Sequence, residues 1–108
     1  MVDFKPLGSL ELPVLASVQR LRQRAYGMAI RRDVLEQTGR DVSIGALYTT
    51  LDRLEKKGYL SSWEGDPTPE RGGRAKRFFR LEGRGIQALE QSRESMTRIW
   101  PGLVPEGV

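Results

Sequence analysis

The sequence predicts a mainly α domain with one small β-hairpin, an α+β arrangement. Three observations carry this. Four stretches space their apolar residues at helical intervals, two short stretches around a Pro- and Gly-rich loop read as strands, and together they run helix, helix, helix, strand, loop, strand, helix. The chain has 108 residues, 38% of them hydrophobic and 30% charged, which suits one folded domain with a modest core.

The first helix is expected after Gly8-Ser9, with Ser9 as its N-cap. Leu10, Val14, Val18 and Leu21 then share one face, and Pro13 falls in the first turn, where proline costs least. LRQRAYG ends this helix and begins the next. Ile30 and Val34 face inward there, flanked by Tyr26 and Leu35, and Gly39 follows as a left-handed C-terminal stop. Ser43 is placed to cap a third helix over 43–57, with Ile44, Leu47, Leu51 and Leu54 on its core face and Tyr48 and Glu55 at the border. Its other side carries Ala46, Thr49, Arg53, Lys56 and Lys57, with Ser43 and Thr50 at the edge.

Gly58 ends that helix. Residues 59–63, YLSSW, read as a strand, 64–75 as a loop with two prolines and three glycines, and 76–81, KRFFRL, as a second strand. Gly83 or Gly85 opens the last helix, whose stripe is Ile86, Leu89, Met96, Ile99 and Trp100. Pro101-Gly102 stops it, and a frayed tail is expected over 101–108.

Three helices with a hairpin after the third is the plan of a winged helix-turn-helix. The second helix of the pair, 43–57, is then the one that enters a DNA major groove. Its small residues suit that role. Ser43, Gly45, Ala46, Thr49 and Thr50 let a backbone approach base edges, Ser and Thr hydroxyls can bond bases or phosphates, and a methyl can meet a thymine methyl. Arg53, Lys56 and Lys57 lie further along, at phosphate height. The net charge of +4 is a weak hint alone, but Arg71, Arg74, Lys76, Arg77, Arg80 and Arg84 put six bases within 14 residues at the hairpin. Arg20, Arg22, Arg24, Arg31 and Arg32 read as solubility or phosphate steering.

Other classes fit less well. With no Cys and no His, disulfides and Cys/His zinc sites are excluded, and neither a metal nor a cofactor is expected. The acids Glu64, Asp66 and Glu70 sit in a loop with nothing to orient them, and there is no phosphate-cradling Gly loop or nucleophile elbow, so catalysis is not expected. A winged helix that docks another protein is the alternative to DNA binding. No 18-residue apolar run and no signal-peptide pattern appear, so a cytoplasmic location without membrane contact is expected.

GALYTTLDRLEKKGYL at 45–60 and GGRAKRFFRLEGRG at 72–85 resemble the PadR-like transcriptional regulators, over roughly residues 8–90. Ser43, Gly45, Leu47, Tyr48, Arg53, Leu54, Glu55, Gly58, Gly73, Arg74, Lys76 and Gly85 fall on the family pattern, and Tyr26-Gly27 with Ile30 is similar to its second-helix start. Thr49 stands where many members have Pro, Phe78 and Phe79 replace common tyrosines, and Glu82 replaces a capping Thr. The resemblance implies a homodimeric DNA-binding repressor of the short-tailed type, acting on an inverted repeat. It divides the chain into a winged helix-turn-helix at 8–82, with a wing at 64–77, and a dimerisation helix at 83–100. The DNA-binding set it supports is Ser43, Gly45, Ala46, Tyr48, Thr49, Thr50, Arg53, Arg74, Lys76 and Arg77. Leu10, Val14, Leu89, Met96, Ile99 and Trp100 are the expected dimer interface, and Trp100 with Met96 the expected pocket for a small aromatic or hydrophobic effector.

Overall fold

A computed structural model describes residues 6–65 and 76–102. Helix α1 spans Glu11–Leu21, α2 Gly27–Thr38, α3 Ile44–Lys56 and α4 Gly83–Ile99, with strands β1 at Leu60–Glu64 and β2 at Arg77–Leu81. A single 3-10 turn, Arg22–Arg24, joins α1 to α2. The strands pair antiparallel, Leu60 opposite Leu81 and Trp63 opposite Phe78, and Tyr26 adds one bridge to Phe78. The α+β expectation and the element order hold. The first strand shifts by one residue from the expected 59–63, and the second starts one residue later than the expected 76–81 and ends as expected.

Every element gives residues to one core. Val14, Leu15 and Val18 come from α1, Ile30 and Val34 from α2, Leu47, Leu51 and Leu54 from α3, Leu60 and Phe79 from the hairpin, and Ala88 from α4. Each fully buried Leu or Phe contributes about 1.5–3 kcal/mol through apolar burial. Val42 joins them at 6% exposure although it lies between helices, where periodicity gives no signal. Ile44 was the residue expected in the core at this point of the sequence. Ile44 instead stands 52% exposed at the first position of α3.

The helix ends explain the boundaries. Ser9 does not cap α1. The Glu11 carboxylate accepts the Gly8 N–H at 2.7 Å instead, and Lys57, at the end of α3, donates to the same carboxylate at 2.7 Å. Ser43 does cap α3, its Oγ accepting the Ala46 N–H at 3.1 Å. Gly39 closes α2 with φ 77°, a conformation open to glycine at little cost. The α4 N-cap is Glu82 and makes no side-chain cap; its carboxylate accepts the Ser61 hydroxyl at 2.7 Å instead.

Arg31 clamps the turn between α2 and α3. It donates to the Val42 carbonyl at 2.5 Å and to Asp41 at 3.0 Å, so its guanidinium is a structural tie rather than a phosphate-steering charge. Arg20 is tied as well: it pairs with Asp33 on α2 at 2.5 Å, and Ser17 donates to the same carboxylate at 2.5 Å. That Arg20 hydrogen bond holds the Asp33 carboxyl below its ordinary range, against the burial that raises it; Ser17 lowers it further. Burial also pushes Glu11 up, but Lys57 and the Gly8 amide outweigh it and leave Glu11 lowered.

Candidate nucleic-acid interface

Helix α3 turns three buried leucines inward and leaves a crest of short side chains outward. Ser43, Gly45, Ala46 and Thr49 are exposed, and open space lies beyond Gly45. Arg53 and Lys56 are exposed further along. Intervals of four, eight and eleven residues set Ile44, Tyr48, Asp52 and Glu55 along one flank of this helix.

Two other elements meet α3 on that flank. The Tyr48 ring lies against the start of α2, and its hydroxyl occupies the space that a Cβ at residue 27 would need; glycine there permits the approach. The hairpin arrives through Arg77. Its guanidinium donates to Glu55 at 2.5 Å and to Asp52 at 3.2 Å, and lies 4.9 Å over the Phe79 ring. Ser62 donates to the other Glu55 oxygen at 2.8 Å. The outer face of the hairpin is an aromatic row: Phe78 stacks on Trp63 at 5.8 Å and meets the edge of Tyr26 at 5.7 Å. Lys76 Nζ sits 4.2 Å from the Tyr26 ring centre, which holds this cation beside the α2 N-terminus.

Several expected site residues sit elsewhere. Thr50 is 4% exposed and donates to the Ala46 carbonyl at 2.8 Å, so it cannot reach a base. Lys57 faces Glu11 on α1 rather than a phosphate. Arg77 has two carboxylates around it and ties the hairpin to α3. Arg74 and Arg71 lie outside the described residues, as do Asp66 and Glu70 of the acidic group. Val14 is fully buried in its own chain's core and is unavailable to a partner, while Leu10 and Leu89 are partly buried against that core. Met96, Ile99 and Trp100 are exposed, at 41%, 75% and 60%. Met96 shares a groove of about 340 Å³ with Leu12, Gln19 and Leu89; Trp100 does not line it.

A three-helix core with α2 and α3 joined by a clamped turn and a hairpin fastened to α3 defines a winged helix-turn-helix of the DNA-binding class. The model of the transcriptional regulator PadR-like family matches residues 14–91. This chain belongs to that family. Solved structures agree on the fold. A PadR family transcription regulator from Clostridium difficile superposes with a TM-score of 0.70 at 22% identity, covering 85% of this chain and 91% of that one. A winged-helix DNA-binding protein from STIV gives 0.71 at 20% identity, covering 91% and 98%. A PadR-like transcriptional regulator from Bacillus cereus gives 0.66 at 20%, covering 83% and 82%. No curated protein sequence matches. The chain is thus a DNA-binding transcription regulator by family, and among the described residues no helix is long and apolar enough to cross a membrane.

Proposed function

We propose that this regulator is a cytoplasmic homodimeric repressor that reads an inverted-repeat DNA operator. Helix α3 enters the major groove from its N-terminal end, and the wing at 64–77 rides on the adjacent backbone. The observation that carries this reading is the crest of α3: Ser43, Gly45, Ala46 and Thr49 together offer a close approach without a long side chain in the way. Tyr48 and Lys76, both beside the start of α2, supply phosphate contacts, and Arg53 and Lys56 supply more as α3 leaves the groove. Arg74 belongs to the same set through the family pattern.

The final helix supports the dimer. Met96, Ile99 and Trp100 are large apolar residues exposed within five positions, more than scattered surface residues explain. Residues 83–100 act as the dimerisation helix, with Leu10 and Leu89 contributing their exposed edges, while 8–82 carry the DNA. A small aromatic or hydrophobic effector is accommodated where Met96 and Leu89 meet the partner, with Trp100 closing the site only in the dimer.

Selection of bound sequences from random duplex DNA, paired with sedimentation, tests this. An enriched two-fold symmetric site with half-sites about one helical turn apart is expected. Asymmetric sites only would remove the dimeric reading. Binding without salt dependence would favour a protein partner for this surface instead.

A further inference from the structure

We propose that Ile44 reads the C5-methyl group of a thymine and so sets one base of the preferred site. The inference rests on the placement of α3 in the major groove.

The helical interval puts Ile44 in register with Leu47, Leu51 and Leu54, yet those three are fully buried and Ile44 is 52% exposed. Val42, two residues earlier, is buried in the core. A single exposed isoleucine means little by itself, since isolated apolar residues are common on surfaces. Its position is what distinguishes this one. Ile44 is the first residue of α3, at the end that enters the groove, beside the capping Ser43 and the open Gly45. It shares its flank with Tyr48, Asp52 and Glu55, and that is the flank on which the start of α2 and the hairpin converge. In the proposed docking the duplex meets the N-terminal end of α3, where Ile44 stands.

The chemistry then narrows the target. Ile44 has no hydrogen-bonding group beyond its backbone. In the major groove the apolar feature of an unmodified base is the thymine methyl. A β-branched side chain is also stiff at χ1, so little rotamer freedom is lost when it makes that contact. Ala46 and the Thr49 methyl lie on the crest, around the helix from Ile44, and Ile44 is the only large apolar side chain of α3 that is exposed.

Deoxyuridine differs from thymidine at this edge by that methyl alone, which allows a direct test. After a site is selected from random duplexes, each thymine in one half-site is replaced in turn by deoxyuridine, and affinity is measured for wild type, Ile44→Ala and Ile44→Val. At one thymine the wild type is expected to lose about fourfold, the worth of one buried methyl. Ile44→Val, which keeps the branched methyls, should retain most of that penalty, and Ile44→Ala should show none. The melting temperatures of the variants, expected to match wild type because Ile44 is outside the core, separate this from a folding defect. The inference is overturned if deoxyuridine is tolerated at every position, or if Ile44→Ala pays the same penalty as wild type. If selection enriches no sequence, the sequence-specific reading itself falls, and this one with it.

Discussion

Arg77 on β2 and Glu55 on α3 meet at 2.5 Å, so the hairpin is fastened to α3 by an ion pair. Asp52 accepts a second bond from the same guanidinium at 3.2 Å. The charge of Arg77 is thus largely matched inside the chain. Arg77→Ala should lower stability by no more than about 1 kcal/mol, because the pair is partly solvated. It should weaken DNA binding by loosening the wing while leaving the slope of log affinity against log salt unchanged. Glu55→Gln should act in the same direction. If Arg77→Ala flattens the salt slope by about one phosphate contact, the guanidinium leaves its carboxylates to bind DNA.

Lys76 is expected to behave differently. It is held by the Tyr26 ring and has no carboxylate beside it among the described residues. Lys76→Ala should weaken all duplexes alike and make the salt slope shallower by about one. Titrations of a selected and a scrambled duplex at several salt concentrations provide the measurement.

Thr49 and Thr50 are neighbours with opposite surroundings, which makes them an internal control. Thr49 is exposed on the crest of α3, so Thr49→Ala should alter sequence preference, on the order of 1–3 kcal/mol on the preferred site if a base contact is lost. Thr50 is buried and bonded to Ala46, so Thr50→Ala should change stability slightly and leave the selected sequence unaltered. Repeating the random-duplex selection with each variant checks both. A changed consensus for Thr50→Ala would mean that α3 rotates on binding.

Acid should unfold this protein through two particular carboxylates. Glu11 and Asp33 are both held below their ordinary range by cationic partners. A lowered folded value means that the unfolded chain binds protons first as pH falls. Their stabilisation is therefore complete near neutrality and is lost progressively below about pH 5. Denaturant unfolding at pH 7 and pH 4 should show this loss, and Asp33→Asn should reduce it while costing stability at pH 7. An equal pH dependence in the variant would move the acid sensitivity elsewhere.

The element order was legible because hydrophobic period, capping Ser43 and terminating Gly39 agree with one another. The crest of α3 was legible for the same reason: a period places Thr49 and Gly45 outward wherever Leu47 and Leu51 go inward. What the sequence hides is pairing between distant segments. Nothing local marks Lys57 for Glu11, Arg77 for Glu55 or Arg31 for the Val42 carbonyl, so these bases read as free charges. Ile44 fell outside the core because a helical period says which face is apolar but not where the core ends, and Val42 is buried although no period marks it. Thr50 at the edge of the polar face could fall either way, and its bond to Ala46 settles it inward.

The last helix carries the quaternary prediction. Leu89 is partly buried against the core of its own chain, whereas Met96, Ile99 and Trp100 are exposed. Mutation should separate these two parts. Leu89→Glu should disturb the fold itself, since a charge would be driven toward the apolar core. Met96→Glu and Ile99→Glu should leave the winged helix folded and split the proposed dimer, because each would put an unpaired charge into its seam. Binding to a single half-site should survive in these monomers, while affinity for the full operator falls, since the two half-sites are no longer held by one assembly. Trp100→Ala removes only apolar contact and should raise the dimer dissociation constant without altering the consensus. Sedimentation of Met96→Glu, with circular dichroism as the check on folding, decides the matter. A stable dimer with full operator affinity would show that the end of α4 is not the subunit contact.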